Sequence, residues 1–297
     1  MINGIVNVYK ESGFTSFDVV AKMRGIFHQK KIGHTGTLDP DAQGVLPVCL
    51  GRATKVCDLL TDKDKEYEAV MLLGMTTDTQ DVSGTVLNRQ KVTVTEDAVK
   101  TVITSFEGEY MQIPPMYSAL KVNGQKLCDL ARKGIEVERK ARSVTIHKIQ
   151  ILEINLPRVR MKVECSKGTY IRTLCQDIGN KLGCGACMES LLRTRVSEFR
   201  LDGALRLQQI EELVQREDFS FVQSVDSVFM QYDSAQVMEI AKKMVENGNR
   251  IPEEMICNMC QEKEQKCIRL YDWEERFIGL YAYMPQEQDF KPIKLFI

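Results

Sequence analysis

A short stretch of the chain, residues 33–55, crowds together groups that can do chemistry. It places the imidazole of His34, two threonine hydroxyls and the carboxylates of Asp39 and Asp41 within nine residues. A well-placed carboxylate can act as a nucleophile or as a base. The alternative interpretation is a turn in which the aspartate and threonine side chains cap backbone groups. The spacing alone leaves both interpretations open.

The same stretch indicates how the fold would hold these groups. Its first half is punctuated by Gly33, Gly36 and Pro40, which fit neither a helix nor a central strand. The apolar run over 45–51 is typical of a buried strand. A polar loop anchored to a buried strand can present a side chain rigidly. We therefore expect Asp39 to be held in a fixed position.

The motif His34-Thr-Gly-Thr-Leu-Asp39-Pro resembles the signature of the TruB family of tRNA pseudouridine synthases, whose catalytic aspartate stands where Asp39 stands. The resemblance continues in family order over about two hundred residues. It is carried by Gly51-Arg-Ala-Thr-Lys55, Lys65-Glu-Tyr67, Pro114-Pro-Met-Tyr-Ser-Ala-Leu-Lys-Val-Asn-Gly124, Gly168-Thr-Tyr-Ile-Arg-Thr-Leu174 and the region Leu191–Thr194.

The resemblance implies an isomerase that converts uridine 55 in the T loop of tRNA to pseudouridine. The N1–C1′ bond breaks, the uracil turns, and it rejoins the sugar through C5. Because this is an isomerisation, it implies no cofactor and no metal. The implied partner is tRNA, bound through its T-arm stem-loop with the target base flipped out. We expect a monomer with no obligate protein partner.

The resemblance also assigns catalytic roles to individual residues. Asp39 would be the catalytic carboxylate, and a dry site would disfavour its charge. Arg172 occupies the position of the family's arginine partner and would offset that cost. Tyr67 matches the tyrosine that stacks on the target base. Tyr170 and Leu191 would complete the pocket wall.

Four further residues are implied to contact the RNA. His34 resembles the histidine that fills the space left by the flipped nucleotide. Lys10, Arg52 and Lys55 would meet phosphates. The chain departs from the family at Glu11, where the family usually has proline, and at Leu192, where it often has arginine.

The resemblance implies an α+β fold. It comprises a pseudouridine-synthase catalytic domain over residues 1–232, built on a mixed, largely antiparallel sheet flanked by helices and loops, and a small PUA-like domain over residues 233–297. Local patterns predict helices over 17–27, 53–61, 95–106, 125–133, 170–182 and 234–248, with another after residue 207. They predict strands over 4–10, 45–51, 66–73, 144–154, 159–165, 190–199, 266–270 and 277–284.

Composition places the chain among ordinary globular proteins. Its 297 residues are 43% hydrophobic and 27% charged. No apolar run approaches the roughly 20 residues of a membrane span, and the N-terminus lacks the pattern of a secretory signal. We therefore expect a cytoplasmic protein that does not enter membranes.

The charge is divided unevenly along the chain. Residues 1–200 hold 29 Lys and Arg against 23 Asp and Glu, whereas residues 201–297 hold 11 against 18, which returns the net charge of −1. This asymmetry is compatible with a phosphate-facing half and an acidic remainder. Solvated helix faces would give the same balance.

The ten cysteines are scattered, as reduced thiols would be. Cys184-Gly-Ala-Cys187 and Cys257-Asn-Met-Cys260 have zinc-like spacing, with Cys267 beyond. A four-ligand site would have to combine the pairs, and the chain has only three histidines. We expect no metal site.

Three other functions remain as alternatives. The chain could be an RNA-binding or tRNA-folding module whose catalysis is secondary. A nucleoside glycosidase would need a second positioned carboxylate, for which Asp41 is the close candidate in sequence. A guided synthase would carry partner-protein surfaces and longer tails, which we do not expect in this chain.

Overall fold

The computed structural model describes residues 1–258 and 267–297. Its strands are β1 (Gly4–Lys10), β2 (Ile32–His34), β3 (Gln43–Leu50), β4 (Lys65–Leu73), β5 (Met75–Thr77), β6 (Val86–Arg89), β7 (Gly108–Gln112), β8 (Lys121–Val122), β9 (Gln125–Lys126), β10 (Arg142–Asn155), β11 (Arg158–Cys165), β12 (Ala186–Val196), β13 (Phe199–Arg200), β14 (Asp233–Val237), β15 (Ile251–Pro252), β16 (Ile256–Cys257), β17 (Cys267–Tyr271), β18 (Phe277–Met284) and β19 (Asp289–Leu295). Its α-helices are α1 (Ser16–Ile26), α2 (Cys57–Thr61), α3 (Glu96–Thr104), α4 (Leu127–Arg132), α5 (Ile171–Lys181), α6 (Leu207–Gln215) and α7 (Lys242–Glu246).

A nine-stranded sheet forms the centre of the larger part of the molecule. Seven strands follow in the order β1-β3-β12-β4-β11-β10-β7, while β2 pairs with β3 and β13 pairs with β12. All neighbours are antiparallel except β12 and β3, which run parallel where Leu192 faces Gln43 and Arg193 faces Gly44. This mixed, largely antiparallel sheet with flanking helices confirms the predicted α+β class.

Local sequence accounts for the elements nearest the loop that carries Asp39. Strand β4 alternates between buried and half-buried residues along its whole length, which is the period of a strand with one face on a core. Helix α1 begins after a capping box in which the Thr15 hydroxyl accepts from the Asp18 amide and the Asp18 carboxylate accepts from the Thr15 amide. The predicted helix over 53–61 begins instead as a 3₁₀ turn, Gly51–Val56, and becomes α-helical only in α2.

The C-terminal part is a separate six-stranded sheet in the order β15-β19-β18-β17-β14-β16. The predicted helix over 234–248 is wrong, because its first part is β14 and only α7 is α-helical. Residues Ala235 and Val237 are buried on one face of β14, and the strand pairs in parallel with β17. Pairing with a distant strand has overridden local helix propensity. Lys266, the first residue of one predicted strand, lies outside the described residues.

The two sheets meet through an aromatic cluster. The rings of Phe277 and Phe296 stack at 5.4 Å, and Phe229, in the connecting segment, lies 5.8 Å from Phe296. The same cluster includes Ile5 from the edge strand of the large sheet. Within the described residues, no helix combines the length and apolar character that crossing a bilayer requires.

Candidate active site

One cleft, of about 370 Å³, brings together five of the residues singled out from the sequence. They come from a loop, two strands of the large sheet and the N-terminal end of α5. The five residues are Asp39, Tyr67, Tyr170, Arg172 and Leu191. His34, Lys10, Arg52 and Lys55 do not line this cleft.

Backbone hydrogen bonds fix the loop that carries Asp39. The amide of Leu38 donates to the hydroxyl of Ser16, the first residue of α1, at 2.9 Å. The amide of Gly13 donates to the carbonyl of Pro40 at 3.0 Å. The carboxylate that follows Leu38 therefore projects from a backbone held on both sides, and it remains 39% exposed to the cleft.

Arg172 holds the Asp39 carboxylate with both arms of its guanidinium. Its Nε lies 2.8 Å from Oδ2, and its Nη2 donates to Oδ1 at 3.1 Å. The remaining donors reach the carbonyls of Thr79 and Tyr117, each at 2.9 Å. With only 5% of its side chain exposed, Arg172 is fixed by four acceptors and presents Asp39 in a single orientation.

A second carboxylate, Asp81, faces the same guanidinium and was not predicted from the sequence. Its Oδ2 lies 3.8 Å from Nη1 of Arg172, and its Oδ1 accepts from the hydroxyls of Thr79 and Ser83. Asp41, the close candidate in sequence for a second carboxylate, is exposed and does not line the cleft. No spacing signal marked Asp81 within its polar loop.

Two tyrosines form opposite parts of the wall. Burial raises the pKa of Tyr67, and the positive charge of Arg193 offsets part of that rise. The hydroxyl of Tyr67 is therefore protonated near neutral pH. Burial also raises the pKa of Tyr170, partly offset by a hydrogen bond with Ser118. The backbone of Tyr170 is locked by the side-chain amide of Gln112, which accepts from its amide at 2.8 Å and donates to its carbonyl at 3.0 Å.

Arg193 also lines the cleft and was missed as a site residue. It is almost completely buried, and its Nε donates to the carbonyl of Val45 at 2.8 Å. Longer contacts join Nη2 to the carbonyl of Gly36 at 3.3 Å and Nη1 to that of Thr37 at 3.5 Å. Its position two residues after Leu191 on a strand places both side chains on one face, a signal that the sequence did contain.

The predicted role of Lys10 is contradicted by its placement. The side chain is fully buried, and its ammonium donates to the carbonyls of Ala42 at 2.6 Å, Pro40 at 2.9 Å and Glu11 at 3.1 Å. Burial lowers its pKa from 10.5 to about 8. Lys10 therefore supports the loop that carries Asp39 and is not available to phosphates.

The other predicted RNA contacts lie outside the cleft. The His34 ring accepts at Nδ1 from the Gly36 amide at 3.2 Å, and burial lowers the pKa of its imidazole. Arg52 and Lys55 are exposed on the 3₁₀ turn. The ammonium of Lys55 donates to the carbonyl of Leu295 at 2.7 Å, so this turn lies against the C-terminal sheet.

The cysteine pairs do not form a recognisable ligand set. Within residues 1–258 and 267–297, no three His, Cys, Asp or Glu side chains converge as metal ligands would. Cys184 and Cys187 are buried thiols, and Cys260 lies outside the described residues. The expectation of no metal site stays a prediction.

Comparison with known proteins identifies the family. Residues 24–171 match the model of the TruB family pseudouridylate synthase N-terminal domain, and residues 172–235 match that of the tRNA pseudouridylate synthase B C-terminal domain. The boundary between these models falls at the start of α5, between strands β11 and β12 of the large sheet, and not between the two sheets.

Full-length relatives and solved structures agree with these matches. The tRNA pseudouridine synthase B of Lachnoclostridium phytofermentans is 54% identical and that of Clostridium acetobutylicum 46%, with at least 99% of each chain covered. A Cbf5-Nop10-Gar1 complex contains a chain that is 27% identical, with a TM-score of 0.73, over 99% of this chain and 85% of that one. An H/ACA RNP bound to a substrate RNA containing 2′-deoxyuridine matches at 26% identity and the same TM-score over the same coverage. The chain matches these models and relatives along its length, and its cleft holds an aspartate against a guanidinium. The chain therefore belongs to the TruB family of pseudouridylate synthases.

Proposed function

We propose that this enzyme isomerises uridine 55 in the T loop of tRNA to pseudouridine, with Asp39 as its catalytic carboxylate. The observation that carries the proposal is the two-armed contact between Arg172 and Asp39 in a cleft that is also lined by Tyr67. Relatives named tRNA pseudouridine synthase B at 43–54% identity support tRNA as the substrate.

The reaction needs a reactive carboxylate beside the sugar and base, and it needs water to be excluded, because escape of the uracil would leave an abasic site. Asp39 supplies the carboxylate, and Arg172 keeps it oriented. The carboxylate can attack C1′, add to C6 or remove a proton from the sugar. Each route uses the same positioned oxygen atom, and no external redox group is required.

The target base must leave the T-loop stack to reach this carboxylate, at a cost of a few kcal/mol. The apolar faces of Tyr67 and Leu191 offer a surface for the flipped uracil. His34 is proposed to occupy the space that the base vacates. Arg52 and Lys55, exposed on the 3₁₀ turn, would contact phosphates.

The enzyme is proposed to act as a monomer in the cytoplasm, without a cofactor or an obligate protein partner. Residues 1–232 would form its catalytic domain and residues 233–297 its PUA-like domain. A role as a guided synthase is less well supported, because the chains from Cbf5-containing complexes are only 26–27% identical. A glycosidase would need Asp81 to reach the substrate, but Asp81 does not line the cleft.

Mapping of pseudouridine in RNA after incubation with the purified protein tests the proposal. The substrates are an unmodified tRNA transcript, the same transcript with cytidine at position 55, and an isolated T-arm hairpin. We expect modification at position 55 of the first RNA, none at that position in the second, and a comparable rate on the hairpin. Modification elsewhere, or uracil release without pseudouridine, would contradict the proposal.

The rival function as a tRNA-folding module is tested with Asp39→Asn. If the module's catalysis is secondary, this variant should still promote tRNA folding as well as the wild-type protein does. That result together with no pseudouridine formation by the wild-type protein would favour the rival.

A further inference from the structure

Arg193 is a buried cation without an anionic partner. Only 1% of its surface is exposed. Within the described part of the chain, no carboxylate lies within 4 Å of its guanidinium, and its hydrogen bonds go to the carbonyls of Val45, Gly36 and Thr37. Arg195 on the same strand is different, because its Nη2 contacts Glu164 at 2.5 Å. An unpaired charge in the interior costs several kcal/mol, so its presence calls for a function.

The sheet places this charge directly beside Tyr67. Arg193 on β12 and Tyr67 on β4 are cross-strand partners, so their side chains lie on the same face of the sheet. The guanidinium of an arginine donates hydrogen bonds but has no atom that accepts one. The Tyr67 hydroxyl next to it therefore presents its oxygen to the guanidinium and is free to direct its own proton into the cleft.

The backbone around Arg193 keeps this geometry fixed. Gly44 faces Arg193 on the parallel strand with φ of 107°, and a Cβ there would lie 2.2 Å from the Arg193 carbonyl oxygen. The carbonyls that the guanidinium binds lie before and after Asp39 in the chain. The charge of Arg193 also adds to burial in lowering the pKa of His34 and of Lys65.

The reaction supplies the missing negative charge. When the N1–C1′ bond breaks with its electron pair left on the base, the uracil becomes an anion delocalised over N1, O2 and O4. Its C5 then bonds to C1′, the proton on C5 is lost and N1 is protonated, so atoms and charge balance. We propose that Arg193 stabilises the uracil anion through the hydroxyl of Tyr67, and that it is therefore a positioning residue of the reaction. This inference rests on the proposed function and concerns routes in which the base leaves as an anion.

Comparing two leaving groups tests the inference. T-arm hairpins carry uridine or 5-fluorouridine at the target position, and the single-turnover rate at saturating RNA is the rate at which the intact nucleoside disappears. Fluorine withdraws electrons and makes the base a better leaving anion. It also takes the place of the C5 proton, so this substrate cannot complete the reaction to pseudouridine, and the loss of intact nucleoside is what both substrates share. For Arg193→Met we expect a loss of roughly a hundredfold with uridine, as when one preorganised donor is removed, a clearly smaller loss with 5-fluorouridine, and unchanged RNA affinity.

Two variants separate charge from structure. Arg193→Lys keeps the charge but loses contacts with the carbonyls, so both rates can fall. The ratio of its rate with 5-fluorouridine to its rate with uridine should nevertheless match the wild-type ratio. Arg195→Met removes an arginine from the same strand outside the cleft and should leave both rates unchanged. Thermal unfolding of each variant reports on folding.

The possible outcomes distinguish this inference from the proposed function. If the wild-type protein converts neither the uridine hairpin nor full-length tRNA, the proposed function is wrong, and the inference falls with it; if it converts only the tRNA, the same comparison is made on tRNA that carries the two nucleosides. If the wild-type protein consumes both nucleosides and Arg193→Met slows both equally, or slows neither, only the inference is wrong. If Arg193→Met does not fold, a rate ratio in Arg193→Lys that differs from the wild-type ratio overturns the inference, and a matching ratio supports it.

Discussion

The guanidinium of Arg172 binds the carboxylate of Asp39 along one side, with Nε 2.8 Å from Oδ2 and Nη2 3.1 Å from Oδ1. This arrangement leaves the rest of the carboxylate open to the cleft while the guanidinium is anchored behind it by two backbone carbonyls. The orientation of the Asp39 carboxylate is therefore fixed by a planar contact with two hydrogen bonds and not by charge alone. The first two predictions follow from this geometry.

Asp39→Asn should abolish isomerisation while leaving RNA affinity within a few fold. The change is nearly isosteric and removes only the reactive charge. We expect a loss of roughly a thousandfold or more, in the range seen for loss of a catalytic carboxylate. Single-turnover pseudouridine formation and an RNA-binding titration measure the two quantities. Substantial activity in rigorously purified variant protein would show that another group does the chemistry.

Arg172→Lys should reduce turnover by about a hundredfold or more, because lysine keeps the charge but cannot form the two-armed contact. The unfolding free energy should also fall, by roughly 1–3 kcal/mol, since the carbonyls of Thr79 and Tyr117 lose their donors. Arg158→Lys is the matched control. Arg158 makes a two-armed contact with Glu189 on the exposed surface, and its replacement should leave turnover unchanged. Equal rates for the two variants would argue against the role of Arg172.

Lys10→Met should alter the dependence of stability on pH. Burial lowers the Lys10 pKa from 10.5 to about 8. Between these values the unfolded chain binds this proton more tightly than the folded one, so the unfolding free energy contributed by Lys10 rises as pH increases from 8 to 10.5. The variant should lack that part of the rise. Urea unfolding of both proteins at the two pH values measures it, and an identical rise in both would contradict the buried, charged Lys10.

Lys55→Gln should weaken RNA binding several-fold with little effect on the rate at saturating RNA. Lys55 is exposed and lies among other cations, since its pKa is lowered by burial and then by Lys31, Arg52 and Lys294. Loss of one phosphate contact should reduce the slope of log affinity against log salt by about 1. Lys100→Gln, an exposed lysine that already pairs with Glu96, is the control and should keep the wild-type slope.

Phe296→Ala should destabilise the protein by about 3–5 kcal/mol, the usual cost of emptying a buried phenylalanine site. Phe296 is 3% exposed and stacks on Phe277 at the junction of the two sheets. Ile293→Ala, three residues earlier on β19, is the comparison, because Ile293 is 56% exposed and should change stability by about 0.5 kcal/mol or less. Urea unfolding gives both values. A small effect of Phe296→Ala would mean that the two sheets are not coupled through this cluster.

The sequence predicted the site best where residues that determine the backbone, such as glycine and proline, lie next to residues that could do chemistry. Glycines and a proline around Asp39 marked a rigid loop, and the apolar residues after it marked β3, which runs over Gln43–Leu50. The helix after Tyr170 brings Arg172 into the cleft beside Asp39, as the resemblance of the motif Gly168-Thr-Tyr-Ile-Arg-Thr-Leu174 to the family implied. These signals are local, and each is readable within a few residues.

What could not be read from the sequence depends on distant partners. Asp81 comes to Arg172 through loop geometry. Strand β14 looked helical because its partner, β17, begins more than thirty residues later. The sequence predicts Lys10 to be an exposed cation, but its ammonium is buried against the carbonyls of Pro40 and Ala42 in the loop that carries Asp39 and against that of Glu11. Arg193 was recoverable in part, since strand periodicity places it on the face of Leu191.

The long sequence separation within the cleft has a consequence during synthesis of the chain. Asp39 and Arg172 are 133 residues apart, and Val45 and Arg193 are 148 apart. A ribosome that stops before residue 172 releases a chain with the aspartate but without the arginine that orients it. Contacts between such distant positions also form slowly. Incomplete or half-folded chains therefore lack the assembled cleft, which exists only once the chain has been made past Arg193 and has folded.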